Sequence, residues 1–161
     1  MSTTATAPTT NEVDVRVPRF TASVTMTVLA AALVVSTFNT RAAAVILAAQ
    51  GVVFAIGASA GPLRHPYGRI FSTFIAPRLS PPVKFEPVPL LRFSQGIGLI
   101  FAILGIVGFW FGMPTVGQVA TGIATFAAFM RSVFGICLSR RLFGLTHRLM
   151  GKGTPPCCQG K

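Results

Sequence analysis

The chain has 161 residues, enough for one domain, with 52% hydrophobic residues, 11% charged residues and a net charge of +11. Soluble domains carry roughly 25% charged residues, so water could not cover the apolar surface of this one. The positive charge does not point to nucleic acid, because it is confined to short segments between long uncharged runs, the pattern of a membrane protein.

The first 15 residues are rich in Thr, Ser, Ala and Pro and carry Glu12 and Asp14 but no Lys or Arg. They read as a disordered tail. Without a basic start they do not resemble a cleaved signal peptide, so the first apolar helix is expected to stay in the mature protein.

A bilayer crossing needs about 20 apolar residues. Between Arg19 and Arg41 lie 21 uncharged residues, between Arg41 and Arg64 lie 22, and between Arg92 and Arg131 lie 38. The last run breaks at Gly112 and Pro114, which favour a turn. The expected fold is therefore an all-α integral membrane protein with four transmembrane helices, at residues 22–38, 42–61, 94–112 and 115–138, inside a domain spanning residues 16–150. A buried soluble bundle is the bland alternative, but four consecutive spans of membrane length leave no polar faces.

Twelve of the fourteen Lys and Arg residues fall in the amino-terminal, middle and carboxy-terminal segments; Arg41 lies at the first hairpin turn and Arg131 inside the fourth helix. The positive-inside rule then puts both termini in the cytoplasm of a multi-pass plasma-membrane protein. The halves also repeat. "VPRFTASVTM" matches "LLRFSQGIGL", Arg19-Phe20 on Arg92-Phe93, and each half makes a hairpin starting on the same side. This is a parallel repeat, whose two hairpins are expected to pack together.

Residues 67–79 place Ile70, Phe71, Phe74 and Ile75 opposite Arg69, Ser72, Thr73 and Arg78. That spacing reads as an interfacial helix, its arginines near anionic lipid headgroups. The matching segment after the second hairpin, "SRRLFGLTH", should make a second. Residues 80–89, "SPPVKFEPVP", read as an extended linker, and residues 151–161 as a flexible tail. Small residues let membrane helices approach closely. The second helix offers Ala44, Ala48, Gly51, Ala55 and Ala58; the third offers Gly98, Ala102, Gly105 and Gly112, with Gly108–Gly112 and Gly57–Gly61 as further pairs.

Arg131 continues a fourth stripe, Ala120, Ala124 and Ala127, so it should face the bundle or its cytoplasmic mouth. It stands about 9–10 Å from the inner end of the helix at 1.5 Å per residue. Two readings stay open: a side chain that snorkels to the interface, or an anion or headgroup contact. Cys137, Cys157 and Cys158 should lie on the reducing side. Cys137 is a candidate single thiol; it has no C-x-x-C partner. Cys157-Cys158 offer two thiols with no nearby histidine, too few for a metal site. His65 and His147 read as interfacial rather than as ligands. Glu12, Asp14 and Glu86 lie outside the spans, so no acid is expected within the membrane to couple ions. No hydrolase motif, phosphate loop or metal cluster is present, and no cofactor is expected.

"VDVRVPRF", "GPLRHPYGRIF", "LLRFSQGIGLIFAILG" and "FGICL", in this order, resemble the bacterial membrane-protein family called domain of unknown function 4395. The resemblance covers about residues 14–143. Relatives often carry F-G-x-C-x-G-C; here Ser139 and Arg140 stand where that glycine and second cysteine would be. The resemblance thus implies a membrane thiol site for some relatives, one that is incomplete in this chain, and it implies no established activity. The expected function is an accessory or structural subunit binding another membrane protein or lipid. The alternatives are a transport component acting as an oligomer and a thiol redox partner using Cys137.

Overall fold

The computed structural model describes residues 12–61, 64–79 and 85–134. Four long helices carry the fold: α1 (Arg16–Ser36), α2 (Thr40–Ala60), α4 (Val88–Trp110) and α5 (Pro114–Phe134). α1, α2 and α4 are long and apolar enough to cross a membrane. α3 (Pro66–Ile70) continues through a π turn, Phe71–Ile75, and a 3-10 turn, Ala76–Arg78. Pro77 has no N–H to continue an α-helix, and the chain widens just before it, Ala76 N–H donating to Phe71 C=O.

Two short strands pair antiparallel, β1 (Glu12–Asp14) and β2 (Phe85–Pro87), with Val13 opposite Glu86. Two expectations are corrected here. Residues 12–14 leave the disordered tail because Val13 and Val17 are buried against Phe71 and Leu91. The linker ends early: residues 85–87 form β2, and α4 starts at Val88, with Pro89 in the first turn, where a missing N–H costs nothing. α1 and α4 thus each begin six residues ahead of their expected spans. Strand and helix together begin each half, so the structural repeat is longer than the sequence match.

The turns at the far end are short. Asn39 caps α2, its side chain accepting from Ala42 N–H at 3.1 Å. Gly112 adopts φ +74°, the left-handed conformation that favours glycine, and Met113 N–H reaches back to Gly108 C=O at 2.8 Å. α2 packs on α4 and α1 on α5, besides the contacts within each hairpin. Exchanging the halves leaves these pairings unchanged, as a parallel repeat requires. Leu29, Ala32, Ala43, Ala44, Leu47, Phe109 and Ala124 make the central core.

The small-residue stripes are used unequally. Ala102, Gly105 and Gly108 of α4 are buried, as are Ala120 and Ala124 of α5. On α2 the stripe is corrected: Ala48 is exposed, and the inward face is Ala43, Ala44, Leu47, Gln50, Gly51, Phe54 and Gly57. Leu47 and Phe54 fill the groove that α4's glycines leave open: a Cβ on Gly105 would stand 2.8 Å from Leu47 Cδ1, and one on Gly98 would stand 3.0 Å from the Phe54 ring. Large side chains on one helix therefore meet small ones on its neighbour.

Candidate functional site

A cavity of about 240 Å³ lies between the hairpins, toward the strand end. α1 contributes Pro18, Thr21, Ala22 and Thr25; α4 contributes Leu91, Ser94, Gln95, Ile97, Gly98 and Phe101. α5 supplies Ile123, Ala124, Ala127, Ala128 and Arg131; Phe54 and His65 complete the wall. The wall is mostly apolar with a few converging polar groups, the usual make-up of a small-molecule site.

Arg131 takes the inward position that the stripe of Ala120, Ala124 and Ala127 assigns to it. Its Nη2 lies 2.8 Å from Glu86 Oε2, and both side chains are almost buried, at 13% and 12% exposure. The acid that sequence reasoning set aside as outside the spans is therefore the partner of the one arginine expected within them. A buried charge is costly unless paired and hydrogen-bonded; β2 delivers Glu86 to α5 for that purpose. The contact also ties the start of the second hairpin to its end.

The reading of His65 as interfacial did not foresee its burial in the protein: it is 1% exposed. α2 ends at Ala60, and the chain turns back through Gly61, whose φ of +87° favours glycine. Arg69 N–H then bonds His65 C=O at the start of α3. The ring meets Tyr67 edge-on, centroids 5.2 Å apart. Room for it exists because position 57 is glycine: a Cβ there would stand 2.6 Å from His65 Cδ2 and 3.0 Å from Gln95 Cγ. Burial pushes the His65 pKa down to about 4 and holds the ring neutral.

Among the described residues, His65 Nδ1, His65 Nε2 and Gln95 Oε1 are buried without a hydrogen-bond partner. Nearby, Tyr67, Gln50 and Thr25 bond one another. Tyr67 O–H donates to Gln50 Oε1 at 3.0 Å, and Gln50 Nε2 donates to Thr25 Oγ1 at 3.4 Å. Ser23 and Ser132 hydroxyls lie 2.6 Å apart, joining α1 to α5. Sequence reasoning missed Gln50, Gln95 and Tyr67. The signal was there: glutamines inside uncharged runs of membrane length need partners.

Cys137, Cys157, Cys158 and His147 lie outside the described residues, as does the expected second interfacial segment. Among the described residues no cluster of metal-ligating side chains occurs.

Fold and site define a bundle of four long helices with a partly open, polar-tipped cavity between its hairpins. Residues 13–148 match the family model described as Domain of unknown function (DUF4395), and the chain belongs to that family. Comparison with curated proteins and with solved structures found no match.

Proposed function

We propose that this is an integral membrane protein of four crossings that holds an amphiphilic small molecule of the bilayer between its hairpins. This is the lipid-binding form of an accessory role. The observation that carries it is the cavity: apolar walls from both hairpins, with polar groups gathered toward the strand end.

The case for four crossings rests on where α5 keeps its polar side chains. Thr121 and Thr125 hydroxyls bond the carbonyls four residues back at 2.7 Å. Gln118 Nε2 bonds Ser36 Oγ at 3.4 Å. Val116, Val119, Phe126 and Val133 are exposed instead. Its outer face is thus as apolar as that of α4, where Ile100, Ile103, Leu104 and Val107 are exposed. A face of this kind suits lipid. The basic end is assigned to the cytoplasm by the positive-inside rule. An interfacial place for the segment around α3 is supported by a division of its apolar residues: Phe71 is buried in the protein, while Ile70 and Phe74 are exposed beside Arg69 and Arg78.

A cavity of about 150 Å³ holds benzene. The larger one here takes a substituted ring or one chain end, not a whole phospholipid. The test is to purify the protein in bilayer discs, extract it with solvent and weigh the small molecules recovered. An amphiphile in stoichiometric amount is expected, and it should vanish in Ala127→Phe, which fills the cavity, while thermal unfolding stays cooperative. Extracts of both proteins identical to bulk membrane would overturn the proposal.

A further inference from the structure

We infer that the cavity selects an amphiphile with a neutral head that both donates and accepts a hydrogen bond, a hydroxyl or an amide, and that His65 and Gln95 are its contacts. The inference rests on the binding reading above and adds the chemistry of the ligand.

The two side chains converge on Gly57, which leaves the space they occupy. His65 is buried and lines the cavity, and among the described residues neither its ring nitrogens nor Gln95 Oε1 has a hydrogen-bond partner. A neutral imidazole offers one N–H donor and one acceptor nitrogen, and an amide oxygen only accepts. The Gln95 amide also carries N–H donors, so the two side chains together offer donors as well as acceptors. A primary amide or a hydroxyl answers both kinds. A carboxylate or phosphate brings acceptors alone and a charge, and burying a charge in a mostly apolar space is costly unless it is paired.

The cavity's cation does not reverse this preference. Arg131 lines the same space, but its guanidinium is held by Glu86 at 2.8 Å. The pair is close to neutral overall, so an anionic head gains little there. This departs from the anion or headgroup contact that the position of Arg131 first suggested.

Burial of His65 supports the assignment by keeping the ring uncharged at neutral pH. The tail of the ligand would lie against Phe54, Phe101 and Ile123 on the apolar side of the cavity.

The experiment uses the whole protein in bilayer discs at pH 8. Four diazirine probes share an eight-carbon chain and differ in the head: primary amide, alcohol, carboxylate, or none. Labelled peptides are mapped by mass spectrometry, with octanamide as competitor. Saturable labelling of the cavity-lining stretches of α4 and α5 is expected. Amide and alcohol should label about tenfold more tightly than the headless probe, the gain expected of one or two net hydrogen bonds. The carboxylate should match the headless probe. His65→Phe and Gln95→Leu should each lower the amide and alcohol to that level and leave the headless probe unchanged. Gln95→Leu, with the head series on the unaltered protein, carries the test should His65→Phe fail to fold. A carboxylate that labels best, or a flat head series, overturns the inference while leaving the cavity a ligand site. No saturable labelling by any probe overturns the binding reading itself, and this inference with it.

Discussion

The tightest approach between helices offers a sharp test of the packing. At Gly108 a Cβ would stand 2.5 Å from Gly117 N and 2.8 Å from Gly117 Cα. Both are backbone atoms, so no side chain can swing aside. Restoring ordinary contact needs α4 and α5 to separate by about 1 Å near their turn, and Gly112 and Pro114 anchor them there. Overpacking of this kind costs typically 1–3 kcal/mol, occasionally more, and Gly108→Ala belongs at the upper end. The same substitution has the opposite sign elsewhere. Gly96 in α4 and Gly122 in α5 have nothing within 4 Å of an added Cβ. There alanine gains helix propensity, up to about 1 kcal/mol. By the soluble-protein scaling, about 3 kcal/mol moves the midpoint of a chain this size by roughly 6–12 °C. Thermal unfolding in one mild detergent, with all three variants side by side, measures the difference. Gly108→Ala should lower the midpoint by that order, whereas Gly96→Ala and Gly122→Ala should leave it unchanged or raise it. Equal midpoints for the three would show that α4 and α5 do not meet at Gly108 and Gly117.

Breaking one side of a buried ion pair costs about 3–5 kcal/mol, so Arg131→Gln and Glu86→Gln should each destabilise strongly; the double variant should recover part of the loss, and additive losses would mean that the two charges do not interact. His65 predicts a pH dependence: its pKa falls on folding from 6.5 to about 4, so the unfolded chain takes up the proton first. Its contribution is full above about pH 6.5 and is lost as pH falls toward 4; Tyr67, which faces it, is pushed upward from 10 and stays out of that window. The unfolding midpoint should drop between pH 7 and 5 by more in the parent than in His65→Phe, and equal drops would mean that the ring is solvated. Reporter fusions after Ala76 and after Lys161 should both read cytoplasm, and a periplasmic signal from either would overturn the assigned orientation.

The helices were legible because their determinants are local. Uncharged runs of membrane length, a Gly-Pro break and alternating blocks of charge each act over about twenty residues. The stripes on α4 and α5 were legible for the same reason, since period alone fixes which residues share a face. The α2 stripe misled because size was taken as the sole guide to the interface. Opposite the glycines of α4 the interface needs bulk, and Leu47 and Phe54 supply it, leaving Ala48 outside. The strands and the Arg131–Glu86 pair were hidden by sequence distance. Forty-five positions separate the two charges, and only the parallel repeat brings the start of the second half beside the end of α5.

The same unequal use of small residues accounts for where the cavity sits. Toward the turns, Gly105, Gly108 and Gly117 let α4 meet its neighbours so closely that no added methyl fits. Toward the strands, α4 lines the cavity from Leu91 to Phe101 and α5 from Ile123 to Arg131. There the wall positions carry Phe54, His65 and a salt bridge in place of glycine-to-glycine contact. Two hairpins drawn together at one end and held by bulk, charge and a strand pair at the other leave a partly open space between them. Among the polar groups of that space, His65, Gln95 and Arg131 come from three separate parts of the chain. Each looks isolated in the sequence, and the repeat is what assembles them. On the binding proposal, a substitution that loosens the turn end, such as Gly108→Ala, should therefore lower amphiphile labelling of the cavity as well as stability, and unchanged labelling would show that the turn end does not shape that space.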